Sequence, residues 1–363
     1  MKRVVVKVGT AILSRPEGGL NRIRIKDLAA ELAGLVQIGH GPLLVTSGAI
    51  GAGMDAFGWK TRPTVLKDKQ AAAAVGQVAL MEAYKNAFAP LGQTVAQILL
   101  TRADLDDRER YLNIRNTLNA LLDRGVIPII NENDTVATQE IKFGDNDTLS
   151  ALVAAKVDAS HLVILTDVDG LLTSTGAEGR LLPEVFQVTP DIEALVQAGT
   201  GSTKSVGGMG SKLSAARLAM ASGVEVWIAS GRKPGIVRDI LEGKGVGTRF
   251  APSPDALSAR KRWIAFGRKV RGTLVLDDGA VRALLEHKRS LLASGVVRVE
   301  GLFNAGDTIA LTTVDGRELA RGLTSFTAGD LKKIKGRRST EIEPLLGHPS
   351  PAEVVHRNNL VFL

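Results

Sequence analysis

The sequence contains no cysteine. Disulfides, thiolate metal sites and a cysteine nucleophile are therefore excluded, and a cytoplasmic setting fits. Aromatic residues are scarce, at 4%, while glycine is plentiful, at 39 residues. That balance suits an α/β protein with many strand-to-helix turns better than a β-sandwich. No stretch of about 18 apolar residues occurs, so no membrane span is expected. The opening MKRVVVKVGTAIL resembles a secretion signal only superficially. Lys7 breaks its apolar run and no small-residue cleavage site follows. It reads as a first strand.

A pervasive excess of one charge is also missing. The formal net charge is +8 over 363 residues, but residues 249–271 alone carry seven Lys and Arg against one acidic residue. Residues 1–248 and 272–363 are each within one charge of neutral. This is not the pattern of a uniformly basic nucleic-acid binder. The basic stretch RFAPSPDALSARKRWIAFGRKVR reads as a solvated linker or a strap between domains, with phosphate-backbone binding as the alternative. The chain is longer than one core usually needs, which predicts two domains.

What is present is an alternation. RVVVKV, PLLVT, TVAQILL, VIPII, HLVILT and EVWIA read as strands. Between them lie amphipathic, helix-length segments. NRIRIKDLAAELAGLVQIG has Asn21 as its cap, DKQAAAAVGQVALMEAYKNAF consists of strong helix formers, and DRERYLNIRNTLNALLDRG ends at Gly125. TLSALVAAKV, GSKLSAARLAMASG and GIVRDILEG complete the set. Strict alternation predicts a mainly parallel sheet covered on both faces, a three-layer α/β/α sandwich. Composition shifts near residue 250, at Pro252 and Pro254. Beyond it the pattern is shorter and β-rich: GTLVLDDG, a helix over AVRALLEHKRSLL, then GVVRVEG and DTIALTTVDGRELARGLTSF, with Asp315-Gly316 between two alternating runs as a hairpin signal. The expected division is 1–248, a basic linker 249–271, and a small β-rich domain 272–363.

Ligands of parallel sheets bind beyond the carboxyl ends of the strands. Short polar clusters recur there: Ser47-Gly48, Asn131 to Asp134, Thr166-Asp167 and Ser230-Gly231. Lys7 sits near the end of the first strand, where it reads either as a solvent-facing edge lysine or as a cation delivered to a ligand beside Gly9. TSGAIGAG reads as tight turns with close helix packing, or as a nest of N–H groups joined by the Ser47 hydroxyl. SVGGMGSK runs into a helix, and Lys212 in its first turns opposes the helix dipole unless an anion lies nearby. Asp147 reads as a helix N-cap, and Asn133-Asp134 as a turn. Alternatively, both acidic clusters hold an ammonium, bind Mg²⁺ or orient lysines. Neither cluster contains His or Cys. Two lysines, two glycine loops and acidic strand ends together match the parts of a phosphoryl-transfer site.

Eight stretches in order carry a resemblance over nearly the whole chain: VVVKVGT, VTSGAIGAG, LLTRADLDDRERYLN, IPIINENDTVAT, FGDNDTLSALVA, LTDVDGL, GGMGSKLSAA and RKRW. The sequence resembles the glutamate 5-kinases of the amino acid kinase superfamily, followed by a PUA-like domain. The resemblance implies ATP-dependent phosphorylation of the L-glutamate side-chain carboxylate, the first step of proline synthesis, with Mg²⁺. It implies that Lys7 and Lys212 neutralise the transferring group and that Asp147 orients them. It implies glutamate binding by Ser47, Asp134 and Asn146. It implies ATP binding by Lys7, Thr166, Asp167 and the run Val206, Gly207, Gly208, Met209, Gly210, Ser211 and Lys212. It further implies feedback inhibition by proline and a homo-oligomer, a dimer or tetramer. Direct metal ligands are left open. Two departures from the family pattern are Ser205, where glycine is usual, and Ala11, where serine is common.

The nearest alternatives are other members of the superfamily, namely acetylglutamate kinase, aspartokinase and uridylate kinase. NEND followed by GDND, and the C-terminal domain, favour the first reading. An RNA-binding role for the C-terminal domain is a further alternative, against which its near-neutral charge argues.

Overall fold

A computed structural model of the chain describes residues 1–363 except 16–17, 138–145, 174–178, 198–207, 254–269, 288 and 363. The chain divides into two compact units, Met1–Ala256 and Leu257–Leu363.

The strands of the first unit are β1 (Arg3–Val8), β2 (Gly41–Val45), β3 (Val95–Leu100), β4 (Ile127–Glu132), β5 (His161–Thr166), β6 (Glu184–Val185), β7 (Glu225–Ser230) and β8 (Thr248–Phe250). They form one sheet in the order β3-β4-β2-β1-β5-β7-β8-β6. Neighbours are parallel except β7 and β8. The helices are α1 (Thr10–Leu13), α2 (Arg22–Gln37), α3 (Ala49–Ala56), α4 (Leu66–Phe88), α5 (Arg102–Asp106), α6 (Arg108–Leu122), α7 (Asn146–Lys156), α8 (Pro190–Gln197), α9 (Met209–Ala221) and α10 (Ile236–Leu241).

The valine run explains the centre of this sheet. β1 lies inside the sheet between β2 and β5, with helices covering both faces, so apart from Lys7 its buried side chains are apolar. Val4, Val6 and Val8 share a core with Leu28 and Leu32 of α2 and with Tyr84 and Phe88 of α4. Val5 projects to the other face and is equally buried, where α7 packs against β1. Helix α2 starts as its sequence requires, with the Asn21 side chain accepting from the Arg24 N–H at 3.1 Å. Two short strands, β6 and β8, were not legible in the sequence. Arg249, read with the basic stretch, lies in β8, and its guanidinium pairs with Glu184 and Glu225. Most of that stretch, 254–269, lies outside the described residues. Among the described residues, no helix is long and apolar enough to cross a membrane.

The second unit contains β9 (Gly272–Leu276), α11 (Asp278–Leu285), β10 (Leu291–Leu292), β11 (Val296–Gly301), β12 (Thr308–Thr312), β13 (Glu318–Leu323), α12 (Ala328–Ile334), α13 (Ser339–Leu346), β14 (Glu353–Val355) and β15 (Leu360–Phe362). Its main sheet runs β11-β9-β12-β13-β15, and β10 pairs with β14. Asp315-Gly316 turns β12 into antiparallel β13, with Gly316 at φ +88°. The helix expected over 280–292 is shorter. It ends at Leu285, and Leu291 instead pairs with Val355 and is buried in the core of this unit. A helical continuation would have left that strand pairing and that burial unmade.

Candidate functional site

Three segments distant in sequence converge on one carboxylate. Lys7 lies at the carboxyl end of β1 and is 4% exposed. Asp147 lies in the first turn of α7 and is fully buried. Lys212 lies in the first turn of α9 and is 6% exposed. Lys7 Nζ pairs with Asp147 Oδ1, and Lys212 Nζ lies 3.3 Å from Asp147 Oδ2. The Ser211 hydroxyl also donates to Asp147 Oδ2, at 2.8 Å. Buried charges persist only when paired, and this constellation pairs two cations with one anion. Burial alone would push the Asp147 carboxyl up. The charges of Lys7 and Lys212, with hydrogen bonds from Lys7 and Ser211, outweigh it and hold the carboxyl below the usual range. The cap reading of Asp147 is therefore replaced: its carboxylate faces the lysines, and the residue lies within the helix.

The preceding residue serves a second cluster. Successive helical residues diverge by about 100°, so Asn146 and Asp147 at the start of α7 address different neighbours. Asn146 Nδ2 donates to the Thr46 carbonyl at 2.6 Å, the Ser47 hydroxyl at 2.9 Å and Asn131 Oδ1 at 3.0 Å. Its Oδ1 is buried without a hydrogen-bond partner among the described residues. Ser47 follows β2 and Asn131 lies in β4, so α7 ties two strand ends together. Gly48 adopts φ +103°, which turns the chain from Ser47 into α3. A Cβ on Gly53 would stand 1.8 Å from the Ala72 carbonyl oxygen. In TSGAIGAG these two glycines therefore serve a tight turn and close helix packing.

Asp134 lies on the turn after β4, half-buried, where the Val136 and Ala137 N–H groups donate to the Asn133 carbonyl at 3.3 and 3.2 Å. Thr166, buried at the end of β5, donates its hydroxyl to Asp167 Oδ1 at 3.1 Å, and its carbonyl accepts from the Gly231 N–H at 2.7 Å. Asp167 is exposed. Gly208 caps α9 with extended backbone, and its carbonyl accepts from Ser211. Met209, Gly210, Ser211 and Lys212 form the first turn of that helix. Val206, Gly207 and Ser205 lie outside the described residues, as does Asp145 of the second acidic cluster. The sequence reading gave Ser211 only a nucleotide contact and did not single out Thr46. The one available signal for Thr46 was its place at the end of PLLVT, directly before Ser47.

A parallel sheet with paired lysines at its carboxyl edge, beside a glycine-led helix, defines the class. Residues 2–230 match the model of the amino acid kinase family, and residues 272–346 match that of the PUA domain. The chain belongs to the amino acid kinase family. Within it, the chain belongs with the glutamate 5-kinases. It is 49% identical to a glutamate 5-kinase of Moorella thermoacetica, covering 100% of this chain and 96% of the relative. It is 47% identical to a glutamate 5-kinase of Geobacter sulfurreducens, covering 100% and 98%. Among solved structures, carbamate kinase from Giardia lamblia bound to AMP-PNP shares the fold, with a TM-score of 0.52 and 21% identity over 69% of this chain and 99% of that one.

Proposed function

We propose that this chain transfers the γ-phosphoryl group of ATP to the side-chain carboxylate of L-glutamate, giving L-glutamyl 5-phosphate and ADP as the first step of proline biosynthesis. The observation that carries the reading is the Asp147 carboxylate held between Lys7 and Lys212. A carboxylate nucleophile is already an anion, so no general base is needed. A carboxylate oxygen bonds to the γ-phosphorus as its bond to the bridging oxygen of ADP breaks. Repulsion between the two anions is the obstacle. Lys7 and Lys212 offset it, and Asp147 fixes both ammonium groups before substrate arrives, so little reorganisation remains at the reacting centre.

In this reading Ser47, Asn146 and Asp134 bind glutamate, Asp134 being suited to the ammonium group. Thr166, Asp167 and the segment Val206 to Lys212 bind ATP. Mg²⁺ accompanies the nucleotide. The exposed carboxylates Asp167 and Asp169 after β5 are hard-oxygen donors of the kind this ion takes alongside phosphate and water. Feedback inhibition by proline, a homo-oligomeric assembly and a cytoplasmic setting complete the reading. So does a division into a kinase domain, a basic linker and a PUA-like domain from 272, with the kinase domain running past the expected boundary at 248 because Arg249 and Phe250 belong to β8 of its sheet. A structural or regulatory role is assigned to that last domain.

The test is ATP consumption with L-glutamate, L-aspartate, N-acetylglutamate or UMP, each with Mg²⁺ and with hydroxylamine to trap an acyl phosphate. Hydroxamate formed with glutamate alone is the expected result. Turnover of another acceptor would overturn the assignment of the glutamate ligands while leaving the lysine chemistry intact.

A further inference from the structure

Helix α4 carries three polar side chains seven residues apart, a spacing that places them on one face. Gln70 Nε2 donates to the Ala137 carbonyl at 3.3 Å. Gln77 Oε1 accepts from Asn131 Nδ2 at 2.9 Å. The Tyr84 hydroxyl lies 2.7 Å from Thr46 Oγ1, with both residues fully buried. These contacts reach the end of β2 and both ends of the segment from Asn131 to Ala137. The helix is set there by a glycine crossing: a Cβ on Gly76 would fall 1.7 Å from the Ala49 carbonyl oxygen of α3.

The middle contact has a fixed polarity. A backbone N–H can only donate, and that of Glu132 donates to Asn131 Oδ1 at 2.9 Å. Asn131 Oδ1 also receives Asn146 Nδ2, so both of its acceptor positions are used. The Asn131 Nδ2 group must then face Gln77, and only an acceptor can meet it there. The Thr46 carbonyl, which can only accept, fixes the Asn146 amide from the other side. The result is a directed relay from Gln77 through Asn131 to Asn146. At its end, the buried Asn146 Oδ1 has no hydrogen-bond partner among the described residues. Reversing any one amide would set donor against donor or acceptor against acceptor along the chain.

We propose that Gln77 is a positioning residue for the glutamate site, acting through Asn131 to fix the orientation of the Asn146 amide. This rests on the reading of Asn146 as a glutamate ligand. Gln77 itself leaves the phosphoryl-transfer cluster untouched, so its effect falls on glutamate binding.

The experiment compares Q77M, N146A and the double variant with the full-length parent, measuring KM for glutamate, KM for ATP, kcat and Tm. Q77M keeps the length of the side chain and removes the acceptor. Its glutamate KM is expected to rise about fivefold, the worth of one hydrogen bond, with kcat and the KM for ATP within about twofold. In the N146A background the same substitution is expected to leave the glutamate KM unchanged. A rise that persists there, or no rise in the parent, overturns the proposal. So does an equal loss in all kinetic constants with a lowered Tm, which marks a merely structural role. Q77E, which keeps an oxygen facing Asn131, is expected to hold the glutamate KM within about twofold of the parent's, and serves if Q77M does not fold; a rise of about fivefold in Q77E would overturn the proposal. An unchanged glutamate KM in N146A alone would instead sink the reading of Asn146 as a ligand, and is read separately from the Gln77 result.

Discussion

Lys7 and Lys212 address opposite oxygens of one carboxylate, Lys7 at Asp147 Oδ1 and Lys212 at Oδ2. Each lysine is therefore oriented by the same group, and that group is fully buried. D147N keeps the shape and removes the charge that holds them. Turnover is expected to fall by about a hundredfold or more, and unliganded stability by about 3–5 kcal/mol, because two buried ammonium groups lose their counter-charge. The folded pKa of Asp147 is depressed. Its contribution is therefore fully present above the unfolded value, about 3.9, and declines as pH falls through that value toward the folded one. Denaturant titrations of parent and D147N at pH 7 and at pH 3 check this. The gap between them should narrow at the lower pH.

K212A tests the other side of the same pair. Asp147 keeps Lys7 and Ser211 as partners, so the site retains a counter-charge. Turnover is expected to drop by about a hundredfold, as loss of a contact made in the transition state does. Single-turnover kinetics at saturating ATP and glutamate give the result. A rate near that of the parent would remove Lys212 from the mechanism.

The residues of this cluster were legible in the sequence because each stands out locally. Lys7 interrupts a valine run, Lys212 follows a glycine loop, and Asp147 precedes an apolar helix. Their mutual contact was not legible from the residues alone, since Asp147 reads equally well as a cap until β1 and α9 are seen to flank it. The strands followed the same logic. β1 and β5 could be read because two-sided burial demands a run of apolar residues, Val4 to Val6 and Leu162 to Leu165, whereas β6 and β8 are two and three residues long and carry no period. Gln70, Gln77 and Tyr84 were hidden for another reason. Polar residues on an alanine-rich helix look like ordinary solvated positions until the fold shows which face meets the strand ends.

In the proposed reading Asp134 serves glutamate binding and not nucleotide binding. It lies on the turn after β4, three residues beyond Asn131, whereas Thr166 ends β5 and Asp167 follows it. D134A is expected to raise the glutamate KM by tenfold or more, on the order of one charged hydrogen bond, with the KM for ATP little changed. Initial-rate kinetics with each substrate varied in turn decide this. Equal losses for both substrates would point to a folding defect.

Lys156, at the end of α7, is a burial cost unrelated to the chemistry. Burial lowers its pKa to about 8, against which Asp106 pulls upward while Arg102 adds to the lowering. Its ammonium lies 3.9 Å from the Tyr111 ring centroid, which recovers part of the cost. The unfolded chain holds this proton up to about pH 10.4, so between there and the folded value it binds more protons than the folded chain. Stability therefore rises with pH across that window. K156M, which keeps the contact with Tyr111, is expected to stabilise the protein at pH 7 by about 1–2 kcal/mol. Thermal unfolding at pH 7, 8.5 and 10 should show the advantage shrinking as pH rises.

Two glycines in helices should respond to alanine with opposite signs. Gly34 lies inside α2, and a Cβ there would meet nothing within 4 Å. G34A only lowers the entropy of the unfolded chain and favours the helix, so it is expected to stabilise by about 0.5–1 kcal/mol. Gly76 lies inside α4, where a Cβ would stand 1.7 Å from the Ala49 carbonyl oxygen and 2.4 Å from the Gly53 nitrogen. Both contacts are with backbone, which cannot swing aside as a side chain does. G76A is expected to cost about 3 kcal/mol by forcing α3 and α4 apart. Because α3 is joined to Ser47 through Gly48 alone and Gln77 is the next residue on α4, the separation should also raise the glutamate KM. Denaturant melts of the two variants, with glutamate kinetics for any folded G76A, test both statements. A G76A protein with parental stability would mean that the two helices do not cross at these glycines.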